Sequence, residues 1–534
     1  MVPTFKKVLA LTGIALSSHA LTATAIPQYQ SENPWYMDAQ NHLQEQQKKI
    51  GLKAPKVKNI ILFVGDGMGV STVTAARILE GQQNDHPGEE NYLSFESMPF
   101  TGLSKTYNVN AQTPDSAGTM TAMMTGVKTD AGIIGIDEAV VRGHCKTGQG
   151  HELTTALELA EIAGKSTGIV TTARITHATP AATYAKAAER NWEDNTQVPK
   201  SAVELGCADI ADQLVHFKEN LQTRYPNAKN INGLEVAFGG GRRHFLPMTG
   251  SVKDEALGYS PSGKRSDDRN LIQEWQAIYP EGQFIFSQQG LESIKIQDKS
   301  PVLGLFSDSH LSYDSDRAGK SEPTLTQMTS KALDILEPNK KGFFLMVEAG
   351  RIDHAHHVGN AFNALNDTIE LSNAVRETMN KVDMKETLII VTADHSHVFT
   401  ISGYPKRGNP ILGKVVSIDT NEPAKALDGK PYTTLGYANG LGYRNLGEET
   451  NADAGYETMG NNKRQDLSKV NTRAPGFYQE ALIPLGAETH GAEDVAIYGQ
   501  GPGAAFVSGV HEQNEIFHIM DAMGRLTQQA NEAL

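Results

Sequence analysis

Asn59-Ile-Ile-Leu-Phe-Val64 runs without a polar break into Gly65-Asp66-Gly67-Met68-Gly69. The run is short, and it is unbroken rather than alternating, as a strand buried on both faces requires. It stops at a carboxylate set among glycines. Val70-Ser-Thr-Val-Thr-Ala-Ala-Arg77 then continues as a run of small residues with helical character. The same layout recurs. Gly168-Ile-Val-Thr-Thr172 leads to Arg174, His177 and Thr179, Phe343-Phe-Leu-Met-Val347 ends at Glu348, and Leu388-Ile-Ile-Val391 ends at Asp394-His395. Between these lie amphipathic stretches, Leu153 to Ala163 and Ala361 to Val382, with apolar residues recurring about every 3.6 positions. Strands of this kind alternating with helices predict an α/β fold, a large and mostly parallel central sheet with helices on both faces.

Ligands of such sheets bind beyond the carboxyl ends of the strands. Four strands here carry Asp, Glu, His or Thr to that edge. A single instance reads as a helix cap or a turn, but four together point to a site. Arg351-Ile-Asp353-His354-Ala-His356-His357 is the densest cluster. On a helix Asp353 and His357 stand four apart and share a face, and carboxylate plus imidazole suits Zn²⁺. Asp394-His395-Ser-His397 follows a strand, and Asp66 lies in a glycine-rich turn that lets backbone approach a metal closely. Glu348 and Thr179 offer hard oxygen atoms, better suited to Mg²⁺. Thr179 before Pro180 also fits a simple turn, and His490 in Glu488-Thr-His490 also fits a structural histidine. Ser116, in Pro114-Asp-Ser116 at the start of a helical run, reads either as an N-cap or as an acceptor of a phosphoryl group, because free N–H groups at a helix start favour anions. No P-loop, G-x-S-x-G or H-E-x-x-H motif is present.

Acidic residues number 62 against 48 basic ones, for a net charge of −14, so there is no basic excess to release phosphate counterions and no nucleic-acid-binding surface is expected. Lys6 and Lys7 precede an apolar stretch from Val8 to Leu16, and Ala23-Thr24-Ala25 is a small-x-small cleavage site. This is the layout of a secretory signal peptide over residues 1–25. No later segment is apolar enough to span a membrane or to signal a lipid anchor, so the expected product is exported, periplasmic or secreted, without a membrane anchor. The two cysteines, Cys145 and Cys207, would be buried thiols in a reducing compartment. After export they read as one disulfide, a closure that stabilises by about 4 kcal/mol in the chain-entropy model. Residues 406–475 are rich in Gly, Pro and Asn, with Val415-Val-Ser-Ile418 as their one expected strand. The expected division is therefore a signal peptide (1–25), a catalytic core (26–405), an inserted subdomain (406–475) and a return to the core (476–534).

Together these stretches resemble the alkaline phosphatases, and specifically the form found in animal tissues. The matching segments are Gly65 to Arg77, Ser104-Lys-Thr-Tyr-Asn108, Pro114-Asp-Ser116, Thr171 to Ala178, Arg190-Asn-Trp192, Gly342 to His357, Thr392 to Phe399 and Glu488-Thr-His490. The resemblance implies a phosphomonoesterase of broad specificity with Ser116 as nucleophile, two Zn²⁺ and one Mg²⁺. It implies one zinc on Asp353, His357 and His490, a second on Asp66, Asp394 and His395, and magnesium on Asp66, Glu348 and Thr179 with His177 nearby. Arg190 matches a phosphate-binding arginine, His354 a histidine beside the metal–phosphate site, and Cys145 with Cys207 a disulfide. Two metals can stabilise both the attacking and the leaving oxygen of an in-line displacement, and three divalent cations outweigh four carboxylates locally whatever the overall charge. The family also implies a homodimer embraced by a helix within residues 32–50, with 406–475 as its crown region. A related metal-dependent phosphodiesterase or sulfatase, or a secreted metal- or phosphate-binding protein, is the alternative reading. One departure stands out. Animal members carry a calcium site with an acid directly after Gly-Leu-Phe, whereas Gly304-Leu-Phe306 is followed by Ser307, with Asp308, Asp314 and Asp316 beyond it, so a fourth metal is not expected.

Overall fold

The computed structural model describes residues 24–51, 55–249, 263–296, 300–449 and 464–534. Apart from Thr24 and Ala25, the expected signal peptide lies outside the described residues. Among these residues ten strands form one sheet: β1 (Asn59–Gly65), β2 (Phe100–Lys105), β3 (Ser166–Arg174), β4 (Val236–Gly240), β5 (Gln283–Ile285), β6 (Val302–Leu305), β7 (Phe343–Ala349), β8 (Thr387–Ala393), β9 (Val495–Gln500) and β10 (Gly509–Glu512). Their spatial order is β10-β2-β9-β8-β1-β7-β3-β4-β6-β5. All pairings are parallel except those of β9, which runs against both β2 and β8. The expected α/β architecture is therefore the one observed.

The unbroken apolar runs are explained by what covers them. Ile60, Leu62 and Val64 of β1 belong to one buried cluster and Ile61 and Phe63 to another, so the two-residue period of the strand feeds a core on each face. β7 and β8 are buried along their whole length. The helices used below are α1 (Pro34–Ile50), α2 (Val70–Gln83), α3 (Ser116–Thr125), α4 (Arg351–His357), α5 (Ala361–Lys381) and α6 (Glu515–Gly524). α1 is started by Asn33, whose side chain accepts from the Trp35 N–H, with Pro34 at the first helical position, and it is ended by Gly51 at φ +68°. The helix Ala156–Ala163 opens with a capping box in which Thr155 and Glu158 satisfy each other's backbone N–H.

Cys145 and Cys207 form a disulfide with a Cα–Cα distance of 6.2 Å. No helix among the described residues is long and apolar enough to cross a membrane. In the Gly- and Pro-rich stretch, Val415–Ile418 is not a strand. It makes only isolated bridges, Val416 with Pro423 and Ser417 with Pro405. Among the described residues there, Leu435–Gly440 is extended and pairs with Phe399–Ile401 on one side and Ala481–Pro484 on the other, and Arg444–Asn445 pairs with Phe477–Tyr478. Pairing partners, rather than local β-branched content, decide which residues extend.

Candidate active site

β1, β3, β7 and β8 lie side by side, and their carboxyl ends bring Asp66, Thr179, Glu348, Asp394 and His395 to one edge. Gly67 turns the chain sharply at φ +70°, and its N–H donates to Asp394 Oδ1 at 3.0 Å. That bond, with a second from the His395 N–H at 2.9 Å, occupies one carboxylate oxygen of Asp394 and leaves Oδ2 buried without a partner. Asp66 Oδ2, Glu348 Oε1 and Thr179 Oγ1 are likewise buried without hydrogen bonds. Unpartnered buried oxygen atoms are rare because each forfeits its hydration, and four in one cluster fit a cation.

Three carboxylates crowded together raise one another's proton affinity. Burial, with Asp394, Asp353 and Glu348 as neighbours, lifts Asp66 well above the usual carboxylate range. Burial lifts Glu348 to about 8, against the hydrogen bond that Thr171 donates to it. Burial and the adjacent His490 hold His395 in its neutral form. Its Nε2 lies 3.1 Å from Ser116 Oγ and 3.3 Å from Asp66 Oδ1.

A second group gathers around Asp353. His357 and His490 present their Nε2 atoms 3.1 Å apart, at 3.2 and 3.3 Å from Asp353 Oδ1. His357 Nδ1 donates to the Glu488 carbonyl at 2.7 Å and His490 Nδ1 to the Pro114 carbonyl at 2.8 Å. With each Nδ1 turned to a carbonyl, both Nε2 atoms face each other and Asp353 Oδ1, the direction in which a metal-ligating imidazole points. The helical spacing of Asp353 and His357 on α4 brings the two side chains together. His397, which sequence reasoning gave no role, bridges Asp353 Oδ1 (2.9 Å) and Glu488 Oε2 (2.6 Å). Despite its burial, these two carboxylates push it up to about 10. Against burial, His357 and its neighbours hold Asp353 well below the usual range. The signal for His397 was its place two residues after His395 in extended chain, hence on the same side.

Ser116 is the first helical residue of α3. The cap is Asp115, whose Oδ1 accepts from the Gly118 N–H at 3.0 Å, so the N-cap reading belongs one residue earlier. Asp115 Oδ2 takes the Gly132 N–H and an N–H of Arg190 at 3.1 Å. Arg190 also donates to His177 Nε2 at 3.3 Å. Burial, then Arg190 and Arg174, lower His177 to about 3, so its ring is neutral. One of its ring nitrogens lies within 4.8 Å of the oxygens of Asp66 and Glu348. His354 packs against His310 with centroids 4.0 Å apart and against His177 at 5.4 Å. His310, which was not foreseen, accepts from the Arg174 backbone and touches its guanidinium. Away from the site, Asp308 binds the guanidinium of buried Arg242 at 2.8 Å, and Asp314 lies 3.6 Å from Arg317.

Residues 57–526 match the family model described as alkaline phosphatase. The human tissue-nonspecific isozyme of alkaline phosphatase is 40% identical over 504 residues, covering 94% of this chain and 90% of that protein. The chain belongs to the alkaline phosphatase family. Its activity is therefore the hydrolysis of phosphate monoesters, and the diesterase, sulfatase and binding-protein readings give way. The alkaline phosphatase of Gadus morhua is also 40% identical, over 92% of this chain and 97% of its own. In fold, the chain is similar to the crystal structure of Thermus thermophilus alkaline phosphatase, with a TM-score of 0.61, 24% identity, and coverage of 90% of this chain and 95% of that one. It is also similar to the alkaline phosphatase of the Antarctic bacterium TAB5, with a TM-score of 0.55, 18% identity, and coverage of 89% and 99%. A metal-dependent site fits both the family and the convergent His and carboxylate clusters.

Proposed function

We propose that the chain hydrolyses phosphate monoesters of broad structure through a phosphoserine on Ser116, with two zinc ions and one magnesium ion as resident cofactors. Asp353, His357 and His490 would hold one zinc, Asp66, Asp394 and His395 the other, and Asp66, Glu348 and Thr179 the magnesium, with His177 and His354 beside them. The observation that carries this reading is the cluster of buried, unpartnered oxygens of Asp66, Asp394, Glu348 and Thr179 set next to Ser116. Its donor chemistry fits the ions, with imidazole and carboxylate toward zinc and oxygen alone toward magnesium. When bound, such ions lower the pKa of the serine hydroxyl and offset the charge of the phosphoryl oxygens.

Ser116 stands at the start of α3, where free N–H groups and the helix dipole favour an anion. A bond forms from Ser116 Oγ to phosphorus while the ester bond breaks and the leaving oxygen departs as alcohol. Water then attacks phosphorus, the Oγ–P bond breaks, and inorganic phosphate leaves with the serine hydroxyl restored. The Arg190 guanidinium, steadied by Asp115, can donate two parallel N–H groups to non-bridging oxygens. A groove of about 480 Å³ lined by His310, Arg351, His354, His357 and Glu488 leaves room for varied alcohols. Export to the periplasm or medium, dimerisation through α1 and a crown formed by residues 406–475 belong to the same proposal.

The test is phosphate release from an aryl phosphate at alkaline pH with Zn²⁺ and Mg²⁺, beside the Ser116→Ala variant and an aryl phosphodiester. Fast monoester turnover that collapses in the variant, with weak diester turnover, is expected. A variant that retains its rate overturns Ser116 as nucleophile.

A further inference from the structure

Away from the active site, α1, β10 and α6 bring His42, His511 and Glu515 together. His42 Nδ1 lies 2.7 Å from Glu515 Oε2, and His511 Nδ1 lies 2.8 Å from the same oxygen. The three donor atoms are all within 4.8 Å of one another. His511 is fully buried, and its Nε2 faces two backbone carbonyls, Val507 at 3.0 Å and Ser508 at 3.2 Å. Nε2 therefore carries a proton. The ring is thereby held with Nδ1 turned toward Glu515 Oε2, the same oxygen that His42 Nδ1 faces. Against burial, His511 and His42 hold Glu515 below the usual carboxylate range, which keeps it ionised. Its other oxygen is spent on the Glu512 N–H at 3.1 Å, so only Oε2 is offered to the two rings.

From these positions we infer that His42, His511 and Glu515 form a zinc site separate from the catalytic cluster, one that pins α1 to the edge of the sheet. Two imidazoles and a carboxylate are a standard zinc donor set, and a carbonyl behind one imidazole is the usual way its metal-facing nitrogen is fixed. Access comes through a groove of about 370 Å³ lined by Trp35, Asp38, His42, Lys105 and Glu512. Asp38 stands one helical turn before His42 and lines that groove, which leaves a fourth position to it or to water. β10 is the outermost strand on its side of the sheet. A cation held from α1 and from the two elements β10 and α6 would fasten a cover over an edge that is otherwise open to pairing.

The experiment counts zinc. Wild type, His42→Ala and His42→Cys are equilibrated in the same Zn²⁺ buffer at fixed Mg²⁺, freed of loose metal by gel filtration, and analysed by elemental mass spectrometry. Wild type is expected to carry one more zinc per chain than His42→Ala, with His42→Cys restoring the count because a thiolate replaces the imidazole ligand. Phosphatase activity should be equal in all three, since His42 is remote from the catalytic residues. Equal zinc counts in wild type and His42→Ala would overturn the proposal, leaving the contacts with Glu515 as proton-mediated hydrogen bonds.

Discussion

Gly67 takes φ +70°, and a Cβ built on it would overlap the His397 imidazole. Both facts demand glycine, one for the backbone and one for the ring that holds Asp353. Gly67→Ala should cost about 1 kcal/mol or more in the left-handed region. Because His397 must move, it should also weaken the hold on Asp353. Losing a group that orients a metal ligand typically costs about 10- to 100-fold in metal affinity or activity. The expectation is thus at least a tenfold fall in monoester turnover at limiting Zn²⁺, partly recovered at high Zn²⁺. Unchanged turnover across a zinc titration would show that His397 has room to give. At this scale the sequence pointed to carboxylates and histidines that the fold gathers at one edge, and told less about what supports them. Asp66, Asp353 and Asp394 were legible because each ends a strand or opens a helix. Asp115 and His397 were not, because their roles depend on partners 75 and 44 residues away in the chain.

Among the elements, the start of α3 is where a helix cap and the support of the proposed phosphate-binding Arg190 share one side chain. Asp115 caps the helix through Oδ1 and steadies Arg190 through Oδ2. Substitution can separate the two duties. Asp115→Ala should lose about 1 kcal/mol of stability with the cap. Asp115→Asn keeps the cap through its carbonyl oxygen but turns an amide NH2 toward the Gly132 N–H and Arg190, so it removes the charge facing Arg190 and should lose about 1 kcal/mol with the Gly132 bond. Its KM for an aryl phosphate and its inhibition constant for inorganic phosphate should rise about three- to tenfold, modest because the pair is partly open to solvent. Both constants unchanged in Asp115→Asn would mean Arg190 is ordered without it. The elements themselves were largely readable. The strands at Asn59, Gly168, Phe343 and Leu388 formed as expected, each lengthened by a residue or more. Val415–Ile418 did not, because β-branched residues extend only where a neighbouring strand offers a full ladder, and here the neighbours give single bridges.

Across the whole molecule, catalytic charge collects at the carboxyl edge of the sheet, while the opposite end buries two more carboxyl groups. Glu161 lies at the end of the helix Ala156–Ala163 and Glu235 just before β4. Glu161 accepts from the Asn232 and Gly233 N–H groups at 2.7 Å each and from Thr167 Oγ1 at 2.9 Å. Glu235 accepts from the Thr167 N–H at 2.7 Å. Burial, then the proximity of Glu235, raises Glu161 from 4.5 to about 8, and burial raises Glu235 to about 7. The folded chain therefore holds protons that the unfolded chain has released. Their contribution to stability is intact below about pH 4.5 and is lost as the pH climbs through 7 to 8. At alkaline pH this pair is ionised, two like charges out of water. Glu161→Gln keeps the carbonyl oxygen for Asn232 and Gly233, and its amide can donate to Thr167 Oγ1 once that hydroxyl rotates. The variant should resist thermal inactivation better than wild type at pH 9 to 10, with the advantage shrinking toward pH 6, where the wild-type carboxyl is already neutral. Inactivation midpoints measured across that range decide the matter. A gap between the two proteins that is constant with pH would mean the carboxyl does not change its charge within it.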